Sequence, residues 1–177
     1  DERWHTQKGN NNTYCQDNDL TWLSWDWDKT SEDILNFTRE AIAIRQAQPV
    51  LARKYFLTGL PAAEGLPKDV IWWNPTGREM EEADWHEGIT RCFGMCLPGS
   101  ALQEMGHDGN PRQSDSVLML MNAHFEPVQF ILPPHEGEQW TLRLATTELK
   151  LDKRRTKNFQ LSMPAHSLAL FLAPSLP

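Results

Sequence analysis

At 177 residues the chain can bury one core, or one domain with an appendage, but it is too short for a (β/α)8 barrel of typically about 250 residues. Twenty-four acids against 17 bases leave a net charge of −7 with no basic stripe to follow a phosphate backbone, which argues against nucleic acid as a partner. The longest apolar runs, Val117 to Met121 and Leu168 to Ala173, have strand length and fall short of the ~20 residues that a bilayer span needs, so a soluble protein with no membrane partner is expected.

Residues 1 to 29 show no sustained period and carry tryptophans at 22, 25 and 27, which predicts a long irregular loop whose rings need apolar or stacking partners. Inside it, Gly9 to Asn18 reads GNNNTYCQDN. Asparagine offers an acceptor and two donors, so such a cluster can match the mixed pattern of sugar hydroxyls. The same residue types also build turns and caps for backbone reasons alone, and both readings stay open at this point.

Thr30 with Asp33 three residues on is a helix-start signature, and a helix is expected to run to about Gln48, where Pro49 disfavours helical geometry. Ile34, Leu35, Phe37, Ala41, Ile42 and Ile44 share one face at 3.6 residues per turn. Thr38 and Arg45 intrude on that face, so Arg45 is expected to find a carboxylate or carbonyl partner.

After a Gly- and Pro-rich loop over residues 59–68 the period changes from 3.6 to 2. Strands are expected over Val70–Trp73, Thr90–Leu97, Val117–Ala123, Val128–Leu132, Trp140–Ala145, Phe159–Met163 and Ser167–Leu172. Turns are expected at Asn74 to Gly77 and at Pro133 to Gly137, with a mobile excursion over Ser100 to Asp115 and a solvated basic patch from Lys150 to Lys157. The fold class this predicts is mainly β: an antiparallel β-sandwich preceded by a long loop and one α-helix.

Cys15, Cys92 and Cys96 cannot all pair within one chain, and free buried thiols in a reducing cytoplasm are the default reading. No metal or other cofactor is expected. Asp17-Asn18-Asp19 opens like an EF-hand loop but lacks its glycine and terminal glutamate, and the histidines are scattered. Asp1 and Glu2 are adjacent, so on an extended segment they point to opposite sides and cannot act as a facing carboxylate pair.

A wider pattern surrounds the asparagine run. Asp1, Glu2, His5, Gln7, Gly9, Asn10, Asn11, Asn12, Tyr14, Cys15, Gln16, Asp17 and Asn18 resemble the last barrel-loop segment of bacterial glycogen debranching enzymes, isoamylase-type members of the alpha-amylase superfamily. Similarity continues through Leu35 to Arg39, Ile44-Arg45, Pro49 to Leu51, Asp69 to Asn74, Gly77 to Met80, Asp84-Trp85 and Asn122 to His124. Trp4 departs from the pattern, standing where the family normally has glycine.

The resemblance implies that residues 1–58 are the end of a catalytic (β/α)8 barrel, an active-site loop plus the last barrel helix, and that residues 59–177 are a C-terminal β-sandwich domain. It implies hydrolysis of α-1,6 branch linkages by a retaining two-carboxylate mechanism, with the catalytic carboxylates upstream and absent here. Its partners would be a branched α-glucan such as glycogen or limit dextrin and the remainder of the barrel. On the barrel's C-terminal face, His5, Asn10, Asn11, Asn12, Tyr14 and Asp17 become the candidate substrate-binding residues. The alternative is a non-catalytic carbohydrate-binding or interdomain-docking sandwich, with Trp72 and Trp85 as its ring platforms.

Overall fold

The computed structural model describes residues 2–87, 91–135, 140–149 and 160–175. Two units divide the chain, Asp1–Ile44 and Arg45–Pro177. Asp1, Glu136 and Gly137 of the expected second turn, and the basic patch Lys150 to Lys157 lie outside the described residues, as do the expected starts of two strands at Thr90 and Phe159.

The first unit is a loop leading into helix α1, Lys29–Ala47. Its cap is Asp28 rather than Thr30: the Asp28 Oδ1 accepts the backbone N–H of Ser31 at 2.7 Å, and the first helical bond runs from Glu32 N to Asp28 O. That hydrogen bond from the Ser31 amide holds the Asp28 carboxyl below its ordinary pKa. Asp33, expected in the cap, instead pairs with Lys29 at 2.9 Å across one exposed turn. The predicted face is real, with Ile34, Leu35, Phe37 and Ala41 half-buried and Ile44 buried, but Ile42 is exposed. Arg45 is exposed too, so water solvates the guanidinium that was expected to need a partner.

In the second unit, seven strands among the described residues form an antiparallel sandwich. Strands β1 (Ile71–Trp73), β2 (Cys92–Leu97), β3 (Ser116–Asn122), β5 (Thr141–Ala145) and β7 (Ser167–Ala173) make one sheet in the order β1-β2-β3-β7-β5. Strands β4 (Val128–Ile131) and β6 (Gln160–Met163) make the other. The facing surfaces meet in one core of Cys96, Leu118, Leu120, Ala169 and Phe171 from the larger sheet against Phe130, Leu161 and Met163 from the smaller. Strand β6 alternates exposed and buried side chains, as a strand with one solvated face must. Strands β3 and β7 lie inside their sheet and are buried on nearly every residue, which is why they read as continuous apolar runs.

The turn expected at Asn74 to Gly77 forms. Asn74 Oδ1 accepts from the Thr76 N–H, the Thr76 hydroxyl and the Arg78 N–H, while Gly77 N–H donates to the Asn74 carbonyl at 3.1 Å. Gly77 has φ +79°, and a Cβ there would meet Ile131 side-chain carbon at 3.0 Å, so glycine is required on both counts. Beyond it a five-residue helix α2, Glu82–His86, is closed at its start by a reciprocal Glu81 and Asp84 capping box.

The loop over residues 100–115 is tied down, not a mobile excursion. Glu104 is buried, pairs with Arg112 at 2.9 Å and accepts the Lys54 N–H at 2.8 Å, and Met105 bridges Pro111 across a tight hairpin. The buried carboxylate is thereby matched by a guanidinium and a backbone donor, which is what burial of charge requires.

Trp72 and Trp85, the rings offered as platforms by the carbohydrate-binding alternative, pack on each other and on Phe93 in edge-on and tilted contacts with centroids 5.5 to 5.9 Å apart. Each ring spends contact area on its neighbours, consistent with structural roles.

Candidate functional site

The loop of the first unit is built from a series of local polar contacts. Lys8 and Gly9 have positive φ (51° and 81°), which turns the chain so that Asn10 N–H donates to Gln7 O at 3.0 Å. Asn10 Oδ1 accepts from Asn12 N–H at 2.9 Å, and Asn18 Oδ1 accepts from Leu20 N–H at 3.0 Å, two Asx turns in one segment. Thr13 is buried between them, and the Thr21 hydroxyl donates to the Gln16 carbonyl at 2.7 Å.

The six candidate residues divide by what their polar atoms do. His5 Nε2 sits 3.3 Å from Leu20 O, joining the two ends of the loop. Asp17 Oδ1 accepts the Trp22 indole N–H at 2.7 Å. With the Asn10 turn, three of the six therefore shape the loop, as turn-building residues do. Asn11 and Asn12 are exposed, and Tyr14 is 88% exposed, leaving its ring open to solvent.

A cleft of about 500 Å3 opens in the same unit, lined by Arg3, Trp4, His5, Lys8, Asp19, Trp22, Asp26 and Trp27 among others. Of the six candidates only His5 lines it; Asn10, Asn11, Asn12, Tyr14 and Asp17 do not. Arg3 organises one wall. Its guanidinium carbon lies 4.5 Å from the Trp25 ring centroid and 4.4 Å from that of Trp27, and Nη2 donates to Ser24 O at 2.7 Å. Arg3 is thus the stacking partner that Trp25 and Trp27 were expected to need, while Trp22 instead donates its indole N–H to Asp17. Sequence patterns did not place Arg3, Asp19 or Asp26 in a site, because no period links residues so far apart; the three closely spaced tryptophans were the available signal.

Trp4 takes φ +57°, the left-handed region that glycine enters without strain. The tryptophan that replaces the motif's glycine thus keeps a backbone class that glycine serves, and its indole is mostly exposed. Among the described residues no group of three or more His, Cys, Asp or Glu could hold a metal ion, and no helix is long and apolar enough to cross a membrane. The loop and cleft present hydrogen-bonding groups and ring faces, a surface chemistry suited to holding a polyhydroxylated ligand.

The chain is similar to known proteins over most of its length. The chain is 38% identical over 173 residues to the glycogen operon protein GlgX homolog of Mycobacterium tuberculosis, covering 95% of this chain and 24% of that protein. It is 34% identical over 138 residues to the glycogen debranching enzyme of Escherichia fergusonii and 35% identical to that of Klebsiella pneumoniae, covering 78% of this chain and 17% of each relative. The chain thus spans a quarter or less of the length of these curated relatives. Residues 69–160, which include strands β1 to β5, match the model of the family described as isoamylase, C-terminal, and the chain belongs to that family.

Proposed function

We propose that the chain is the C-terminal part of a glycogen debranching enzyme that hydrolyses α-1,6-glucosidic branch linkages in glycogen or limit dextrin. The observation that carries the proposal is 38% identity over 95% of the chain to a glycogen operon protein, supported by relatives named as glycogen debranching enzymes. In this reading residues 1–58 complete a catalytic (β/α)8 barrel, residues 59–177 are its C-terminal sandwich domain, and two catalytic carboxylates of a retaining mechanism lie in the part of the enzyme beyond this chain. Three unpaired cysteines, one of them exposed, support a reducing cytoplasm.

The loop would form one rim of the glucan cleft. Tyr14 offers a ring face to a glucose unit, and Asn11 and Asn12 offer amides that the loop itself does not use for side-chain hydrogen bonds among the described residues. His5, Asn10 and Asp17 would act through loop shape, holding the segment that carries those groups.

The test is an assay of the full-length protein on a phosphorylase limit dextrin. Release of short linear maltodextrins, with no release by the 177-residue chain alone, is the expected result. Robust turnover by the isolated chain would overturn the division of labour, and a full-length protein inert on every branched glucan would overturn the activity. Tyr14→Ala is expected to raise KM more than it lowers kcat.

A further inference from the structure

A second cavity, of about 540 Å3, opens at one end of the sandwich, where β1 and β2 meet the start of β3 and the segments that follow β4 and β7. Its size falls within the roughly 300–1,000 Å3 of small-ligand sites. Trp73 and Trp140 supply its aromatic surface, Pro133 and Pro134 supply rigid apolar wall, and Ser116 and Ser175 place hydroxyls at its edge.

Three observations describe what would fit there. Among the described residues the lining contains no Asp, Glu, Lys or Arg, and its one ionisable side chain of near-neutral range is His135. The Trp140 ring is fixed in place: its Nε1–H donates to Pro133 O at 2.9 Å and His135 meets it edge-on at 5.0 Å, so the indole is a preorganised surface. The polar complement is also incomplete. Trp73 Nε1 is buried with no hydrogen-bond partner among the described residues. Ser116 Oγ accepts from Gly99 N–H at 3.0 Å and lies 3.3 Å from Ser175 Oγ, so the pair keeps one hydroxyl proton beyond this contact.

Ring faces, uncharged donors and open access together suit a neutral polyhydroxylated ligand, whose pyranose C–H face covers indole while its hydroxyls meet the polar edge. We infer that this cavity is a non-catalytic binding site for a saccharide chain end, separate from the cleft in the first unit. Its choice of an α-1,4-glucan among neutral saccharides rests on the debranching proposal. The site would hold an outer glucan branch on the sandwich domain, increasing the local concentration of polymer during repeated attack.

Titration of the 177-residue chain with maltoheptaose, followed through the assigned indole N–H resonances, tests the inference. A saturable shift of the Trp73 indole is expected, with affinity reduced about tenfold in Trp140→Ala. Should that variant fail to fold by circular dichroism, Ser175→Ala provides a milder one and is expected to weaken binding several-fold. Cellohexaose is the control: a saturable Trp73 shift with cellohexaose but not with maltoheptaose would overturn the α-glucan assignment, and no Trp73 shift with either sugar would overturn the site. Loss of debranching in the full-length assay would count against the enzyme proposal and leave this titration unchanged, so the two failures are distinguishable.

Discussion

Cys15, Cys92 and Cys96 differ in everything but their thiols. Cys15 is exposed; Cys92 is half-buried and its Sγ contacts Asn122 Oδ1 at 3.0 Å; Cys96 lies in the core. Burial raises the Cys92 pKa and pushes that of Cys96 up to about 12, so neither presents thiolate near neutral pH. A chromogenic disulfide reagent is therefore expected to modify one thiol per native chain quickly and all three after unfolding, and fast modification of a second native thiol would contradict the packing around β2. Burial of all three was the reading from sequence; Cys15 escapes it because it sits in an irregular loop with no apolar face to bury it. Trp4 poses the converse case, an aromatic residue at φ +57° with its indole mostly in solvent. Left-handed geometry costs a non-glycine residue about 1–2 kcal/mol, while glycine adds about 0.5–1 kcal/mol of unfolded-state entropy. Trp4→Gly is thus expected to leave stability unchanged or raise it by up to about 1.5 kcal/mol in thermal melts, and a clear loss would mean that the indole contributes packing of its own.

At the scale of elements, the strands were legible because their apolar patterns are matched by the burial each strand meets: alternation in β6, continuous runs in β3 and β7. Ends and short pieces were not. Asp28 and Thr30 are both good caps by residue type, and which one opens α1 depends on where the preceding loop turns. Helix α2 is only five residues, too short to show a period, and its capping box uses Glu81 and Asp84 where the usual signature has Ser or Thr. The Asp69 knot before β1 was invisible for a similar reason, since its partners are backbone groups. Asp69 Oδ2 accepts from Thr58 N–H and the Thr58 hydroxyl, and Oδ1 accepts from Gly59 N–H at 2.8 Å. Burial works to raise this carboxyl's pKa, but the Thr58 and Gly59 hydrogen bonds and the positive charge of Arg53 outweigh it, and the group sits below the ordinary carboxylate range. A carboxyl depressed by folding contributes stability above its unfolded pKa and loses it as pH falls below about 4. Asp69→Asn is expected to cost about 1–3 kcal/mol at neutral pH in urea unfolding, with the gap from the parent chain narrowing through that acid range. A gap independent of pH would remove the ionised carboxylate from the account.

The whole sandwich depends on contacts between sheets as well as within them, and one polar residue makes several at once. Asn122, at the end of β3 in the larger sheet, is buried, and its Nδ2 donates to the carbonyls of Glu126, Met163 and Pro164 at 2.9 to 3.0 Å. Met163 ends β6 in the smaller sheet, so the amide ties the two layers where the apolar core stops. Oδ1 accepts from His124 N–H at 2.9 Å and faces the Cys92 thiol, completing the amide's hydrogen bonding. The core itself could be anticipated from alternation, but the tie could not: an asparagine at a strand end also reads as a turn former, and only the positions of the Met163 and Pro164 carbonyls, distant in sequence, give it this role. Asn122→Ala removes both donors and leaves buried carbonyls without partners, at an expected cost of about 2–3 kcal/mol. Asn122→Asp separates the donor role from the acceptor role. Its carboxylate would face carbonyl oxygens in a buried place, which raises the folded-state pKa of that carboxyl above its unfolded value. A raised carboxyl pKa gives stability that is present below the unfolded pKa and lost as pH rises through the folded one, so Asn122→Asp should weaken toward neutral pH while Asn122→Ala stays level. Equal stability of the two variants across that range in guanidinium unfolding would show that the amide protons do not join the sheets.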